Sequence, residues 1–130
     1  MRSIVLTPSA VCLVNVFASD SVIAGDWPQI LGPTRNGVAQ KETIADSWPS
    51  GGPKFVWEKE VGQGFAGVSV ANGIAVFFHR VGDEETAEGL DAKTGKNLWK
   101  TTFPAEYVPS YNPDAGPRAV PVIQDRKSVV

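Results

Sequence analysis

Few residues in this chain are of a type that does chemistry, and their spacing is the first thing to weigh. His79 is the only histidine and Cys12 the only cysteine. One histidine without a second at ligand spacing falls short of the three or four donors a metal site needs, so His79 reads as a structural residue near a strand end. Asp83, Glu84 and Glu85 form an acidic trio without EF-hand spacing and read as a solvated turn. Gly62 to Gly67, "GQGFAG", fits G-x-G-x-x-G after a stretch that reads as a strand. A dinucleotide site would need a helix next, with its N-terminus facing the pyrophosphate. The residues that follow, "VSVANGIAVFF", are strand-like, so these glycines ease a chain crossing instead. Arg118, beside Pro117, suits either a binding face or a packing contact between sheets. No Ser/His/Asp set and no paired catalytic carboxylates stand at a usable spacing.

Composition narrows the class. The chain has 130 residues, of which 42% are hydrophobic and 20% charged, an ordinary globular balance. Thirteen glycines and ten prolines impose many turns and argue against a helical bundle. The net charge of −2 carries no footprint for nucleic acid.

Residues 1–24 have the features of a secretory signal: Arg2, an apolar run over Ala10 to Phe17, and small residues at Ala18 and Ala24. The run is too short to span a bilayer, so no membrane span is expected once it is removed. Cleavage after Ala24 fits best, and cleavage after Ala18 is the alternative; a buried N-terminal strand is the competing reading. Val11 and Ser9 suit lipid attachment at Cys12 poorly. The expected location is the periplasm or the exterior. The mature chain would hold no cysteine, so packing alone must stabilise it.

The elements that must position these residues are strands. Residues 25–53 read as an irregular arm, with Pro28, Gly32, Pro33 and Asn36-Gly37 as breakers and Thr43 to Trp48 as a turn or loop. Lys54 to Val61, "KFVWEKEV", reads as a half-exposed strand. Val68 to Val70 and Ile74 to Phe78 flank Asn72-Gly73, a strong hairpin signal because both residues tolerate positive φ. After a polar loop at Gly82 to Glu85, Thr86 to Leu90 and Lys96 to Thr101 complete four antiparallel strands. Pro104 to Pro117 reads as an elaborated loop, and a further strand is expected near Val120 to Gln124.

"KFVWEKEV" and "KNLWKTTF" share Lys, one residue, an aliphatic, then Trp. Their tryptophans, Trp57 and Trp99, stand 42 positions apart. That spacing matches a four-stranded propeller blade, which repeats at about 40–45 residues. Asp91 can accept hydrogen bonds from amides in the turn before Trp99, and Gly95 can close that turn in the left-handed region. A Trp at a fixed place in each repeat can fill the wedge between neighbouring sheets, so the pattern is read as architectural rather than ligand-stacking.

"LDAKTGKNLW" resembles the repeat of the pyrroloquinoline quinone (PQQ)-type β-propellers, Ala-x-Asp-x-x-Thr-Gly-x-x-x-Trp. Asp91, Thr94, Gly95 and Trp99 match it, and Gly89 stands where that family prefers Ala. "DWPQILGPTRNG" and "FFHRVGDEE" are similar to a secreted subgroup of such proteins. The likeness spans Asp26 to Gln124 and is specific for fold, not activity. It implies an all-β partial propeller over residues 54–124, about one complete blade with strands of its neighbours, as the N-terminal fragment of a longer protein. It implies a binding or scaffold role through loops at the propeller faces, toward an unidentified protein or small molecule. The alternative it implies is a quinoprotein alcohol or sugar dehydrogenase using PQQ and calcium, although no residue here can be assigned to the quinone. Asp125 to Val130, "DRKSVV", can be encoded by a common sequencing-adapter stretch, and this tail is expected to be foreign to the fold.

Overall fold

The structure, a computed structural model, describes residues 25–40, 42, 46–110, 113–125 and 127–129. The signal-like segment with Arg2, Cys12 and both cleavage positions lies outside the described residues, as do Thr43 to Ala45, Tyr111, Asn112, Arg126 and Val130. Six strands are formed: β1 Ser69–Ala71, β2 Ile74–Val81, β3 Glu84–Asp91, β4 Asn97–Pro104, β5 Val122–Gln124 and β6 Lys127–Val129. The first four make one antiparallel sheet in the order β1-β2-β3-β4, and β5 and β6 make a separate two-stranded sheet. The described chain is therefore all-β.

Local chemistry sets the turns. Asn72 and Gly73 join β1 to β2 with φ of 52° and 75°, the two positive values that a tight hairpin needs to match strand twist. Gly82 opens the β2–β3 turn at φ 61°. Because Val81 already pairs with Glu84, the expected polar loop shrinks to Gly82-Asp83, and Glu84 and Glu85 belong to β3. Between β3 and β4, Asp91 Oδ1 accepts from the Thr94 amide and the Thr94 hydroxyl, each at 2.8 Å, and from the Lys93 amide at 3.1 Å. Gly95 closes that turn at φ 71° and donates its amide to the Asp91 carbonyl.

Side chains opposite one another in an antiparallel register share a face. Phe77 pairs with Glu88 and His79 with Thr86, so with Ala75 and Leu90 they form one face. Val76, Phe78, Arg80, Ala87 and Gly89 form the other. The middle of β2 and of β3 is buried on both faces. Residues 57–68 lie across the first face. The second is met by Pro121, whose carbonyl accepts from Ser69 Oγ, and by the chain around Ala105, Tyr107 and Ala115, held by Arg80.

One expectation changes here. Lys54 to Val61 forms no strand; the segment's ladder contact comes later, in a single bridge between Gln63 and Arg80. It mixes apolar and charged residues as a half-exposed strand would, but it crosses over the sheet face instead of joining an edge. Phe55 and Val56 are correspondingly exposed. Lys127–Val129 pairs with Val122–Gln124, with Asp125 in the left-handed turn position at φ 50°. The arm joins the sheets, since Trp27 bridges Val70 and the Pro28 carbonyl accepts from the Ile123 amide.

Candidate functional site

The first face carries the densest chemistry. Glu88 sits mid-β3 with a buried side chain. Its Oε1 lies 3.2 Å from His79 Nε2, and its Oε2 lies 3.2 Å from Lys59 Nζ and 2.9 Å from Asn97 Nδ2. Lys100 Nζ stands 3.9 Å from Oε1. Burial pushes the Glu88 carboxyl up, but hydrogen bonds and charge from Lys59 and His79 outweigh it and hold the group below its ordinary value. The His79 Nδ1 accepts the Gly62 amide at 2.8 Å, which leaves Nε2 to carry the proton donated to Glu88. The imidazole tilts against Phe77 at a centroid distance of 5.1 Å. Opposite it, Thr86 Oγ1 is buried with no hydrogen-bond partner.

A cavity of about 290 Å³ opens beside this cluster, between residues 57–68 and the sheet. Trp57, Val61, Val68, Ala75, Phe77 and Leu90 give it apolar walls, and Lys59 and His79 line it too. A groove bordered by Lys59, Val61, Gly62, His79, Val81 and Glu88 continues past them.

On the opposite face Arg80 is buried and works as a fastener. Its Nε donates to the Gly82 carbonyl at 3.0 Å and its Nη1 to the Tyr107 carbonyl at 2.6 Å; longer bonds reach the carbonyls of Ala115 and Ala105. A planar guanidinium can serve several carbonyls at once, which a lysine cannot. The "GQGFAG" segment docks on the same loop: Phe65 and Ala66 amides donate to the Pro117 carbonyl, and the Gly64 amide to Asp114. It leads into β1 rather than a helix, so the context for dinucleotide binding is missing. Arg118 lies over the Phe65 ring at 5.4 Å, a cation–π contact.

The motif residues divide between two places. Asp91, Thr94 and Gly95 build the β3–β4 turn, and Trp57 is seated on it. The Trp57 Nε1 donates to the Ala92 carbonyl at 3.0 Å, and a Cβ on Gly95 would come within 2.8 Å of the Trp57 ring. Trp99 instead covers its own sheet. It stands opposite Gly89, where a Cβ would overlap the indole Nε1, and it borders a small groove with Ile74, Val76 and Ile123. His79 lies inside β2, and Asp83 is exposed in the Gly82 turn, 3.7 Å from Arg80. Glu88, Lys59 and Asn97 were not singled out by sequence. The available signal was the alternation Thr86-x-Glu88-x-Leu90, in line with Phe77 and His79 across the ladder.

Among the described residues no three of His, Cys, Asp and Glu gather to hold a metal, and no helix is long and apolar enough to cross a membrane. The fold defines an all-β chain of one four-stranded antiparallel sheet and one small hairpin. Comparison with family models, with curated proteins and with solved structures gives no match in any of the three.

Proposed function

We propose that the chain is a segment of an exported PQQ-like repeat β-propeller whose role is binding or scaffolding, through loops at the ends of its sheet, without an activity of its own. The supporting observation is the seat of Trp57. The tryptophan of the earlier motif copy caps the Asp91–Gly95 turn of the later one. Copies that dock tryptophan on turn bury surface that neither can bury alone, which is how repeat arrays are stabilised. Loops cluster at both sheet ends: Asn72-Gly73 with Asp91–Gly95 at one, and residues 62–67 with 105–110 and 113–117 at the other.

The quinoprotein alternative draws no support from the residues present. A planar polyanionic quinone needs free cationic donors and a cation held by clustered carboxylates. Arg80 spends its donors on carbonyls, and Glu88 is occupied by Lys59, His79 and Asn97. The test is direct. Adding PQQ and calcium to the chain should neither raise its melting temperature nor produce dye-linked oxidation of alcohols. An upward shift of the melt with PQQ would promote the enzyme reading. Export is tested separately by mass spectrometry of secreted material, which should begin at Gly25 or Ser19 rather than Met1.

A further inference from the structure

We propose that β4 is a self-association edge: two copies of this chain join antiparallel along it, Thr101 facing Thr101 on a two-fold axis, and double the four-stranded sheet. β4 ends the order β1-β2-β3-β4, so among the described residues one side of it has no strand beside it. The opposite edge is already engaged, β1 by Trp27 through Val70 and β2 by Gln63 through Arg80. The Ala105 amide donates to the Asp83 carbonyl. Bonded pairs alternate along an antiparallel ladder, so Phe103 with Glu85 and Thr101 with Ala87 are the positions that bond toward β3. The amides and carbonyls of Lys100 and Thr102, and the carbonyl of Pro104, therefore point away from the sheet. The strand is exposed from Lys100 to Pro104, and such an edge is a template for another chain.

The side chains select a second copy as the occupant, and its register. A two-fold axis normal to the sheet maps each face onto itself, so residues that meet across it must lie an even number of positions apart in the sequence. Centring on Lys100 would set two ammoniums opposite one another, which is unfavourable. Centring on Thr102 would ask Pro104 for an amide it lacks. Centring on Thr101 puts Lys100 opposite Thr102 of the second copy, and the reverse, so each of these outward amides meets a carbonyl. It also pairs Trp99 with Phe103 of the second copy, once on each side of the axis. These aromatic pairs and the central threonines fall at non-hydrogen-bonded positions, where side chains approach closest. Phe103 is 42% exposed in the single chain, and the pairing covers it. Lys100 Nζ stands 3.9 Å from Glu88, so each lysine charge is held near a carboxylate of its own sheet.

One strand beside another is a small contact, below about 1,200 Å², so the dimer should be weak and should grow with concentration in sedimentation equilibrium of the full chain. A Cys12→Ser background leaves an introduced thiol as the sole one. In it, Thr101→Cys should be cross-linked by diamide, since the Cα atoms of a non-hydrogen-bonded pair stand about 4.5 Å apart, within disulfide reach. Lys100→Cys should not, because its counterpart is diagonal, about 7–8 Å away and out of reach. Thr101→Lys and Thr101→Glu change an exposed side chain and should keep the thermal melt of the dilute chain. Each should weaken self-association about fivefold, and an equimolar mixture of the two should restore it. A monomer at every concentration, assemblies that grow past two chains, cross-linking of Lys100→Cys as fast as of Thr101→Cys, or a lysine–glutamate mixture no tighter than either variant alone overturns the proposal.

Discussion

Replacing Gly89 with alanine tests the tryptophan packing at its tightest point. Gly89 lies in β3 opposite Trp99, and its φ is not positive, so the backbone itself accepts alanine. Two effects then compete. Alanine restricts the unfolded chain and favours the fold by about 0.4–1 kcal/mol. Against this, the new methyl overlaps the Trp99 indole at Nε1 and Cε2, and Cζ2 lies 2.8 Å away. The ring must swing off the sheet and lose its contacts with Ile74, Val76 and Ile123. Overpacking of this kind costs about 1–3 kcal/mol, so the clash wins and the net loss is about 1–2 kcal/mol. For a sheet of this size the melting temperature should fall by about 5–10 °C. Thermal melts by circular dichroism give the magnitude, and tryptophan fluorescence reports the displaced ring. In a Trp99→Leu background the same substitution should be neutral or mildly stabilising. A Gly89→Ala chain that melts at or above the parent temperature would refute the reasoning.

Further outcomes follow from the same contacts. Trp57→Phe removes the Nε1 bond to the Ala92 carbonyl and should cost about 1 kcal/mol, with faster amide exchange at Thr94 and Gly95 by NMR. Arg80→Met strips the donors from the carbonyls of Tyr107, Ala105 and Ala115 and should cost more than about 2 kcal/mol, with limited proteolysis cutting first between residues 105 and 117. The carboxyls of Glu88 and Asp91 are both held below their ordinary values, so between the folded and unfolded values the unfolded chain binds more protons. Stability is therefore full above about pH 4.5 and is lost as pH falls through the lower folded values. Urea midpoints from pH 6 to pH 2 should drop on that side, and Glu88→Gln should flatten the drop.

What could be read from sequence was local. Asn72-Gly73 and Gly82 announce their turns because their backbone conformations exclude most other residues. Asp91, Thr94 and Gly95 announce theirs because one carboxylate must meet several adjacent donors. The strands ran longer than their apolar cores, to Val81 and Pro104, since a ladder continues through polar residues once its register is set. Glu88 was illegible for a different reason. Glu84, Glu85 and Glu88 look alike in one dimension, and only the register opposite Phe77 and the approach of Lys59 bury one of them. Lys54 to Val61 misled because a mixture of apolar and charged residues reports a half-covered segment, not the partner that covers it.

That covering segment links the fold to the site. A lone four-stranded sheet leaves two apolar faces open, and this chain closes one with residues 57–68 and the other with its later loops. The first cover is pinned by Trp57 to Ala92, Lys59 to Glu88, Gly62 to His79 and Gln63 to Arg80, and further on by Gly64 to Asp114 and by Phe65 and Ala66 to Pro117. Phe55, Val56, Val61, Phe65 and Val68 remain exposed along it or beside it. Few polar contacts over residues 57–61 and a cavity beneath place that stretch at the low end of local stability. The part of the molecule that opens most readily is therefore the wall of the cavity, and a ligand filling that space would tie the wall down with contacts the empty cavity leaves unmade.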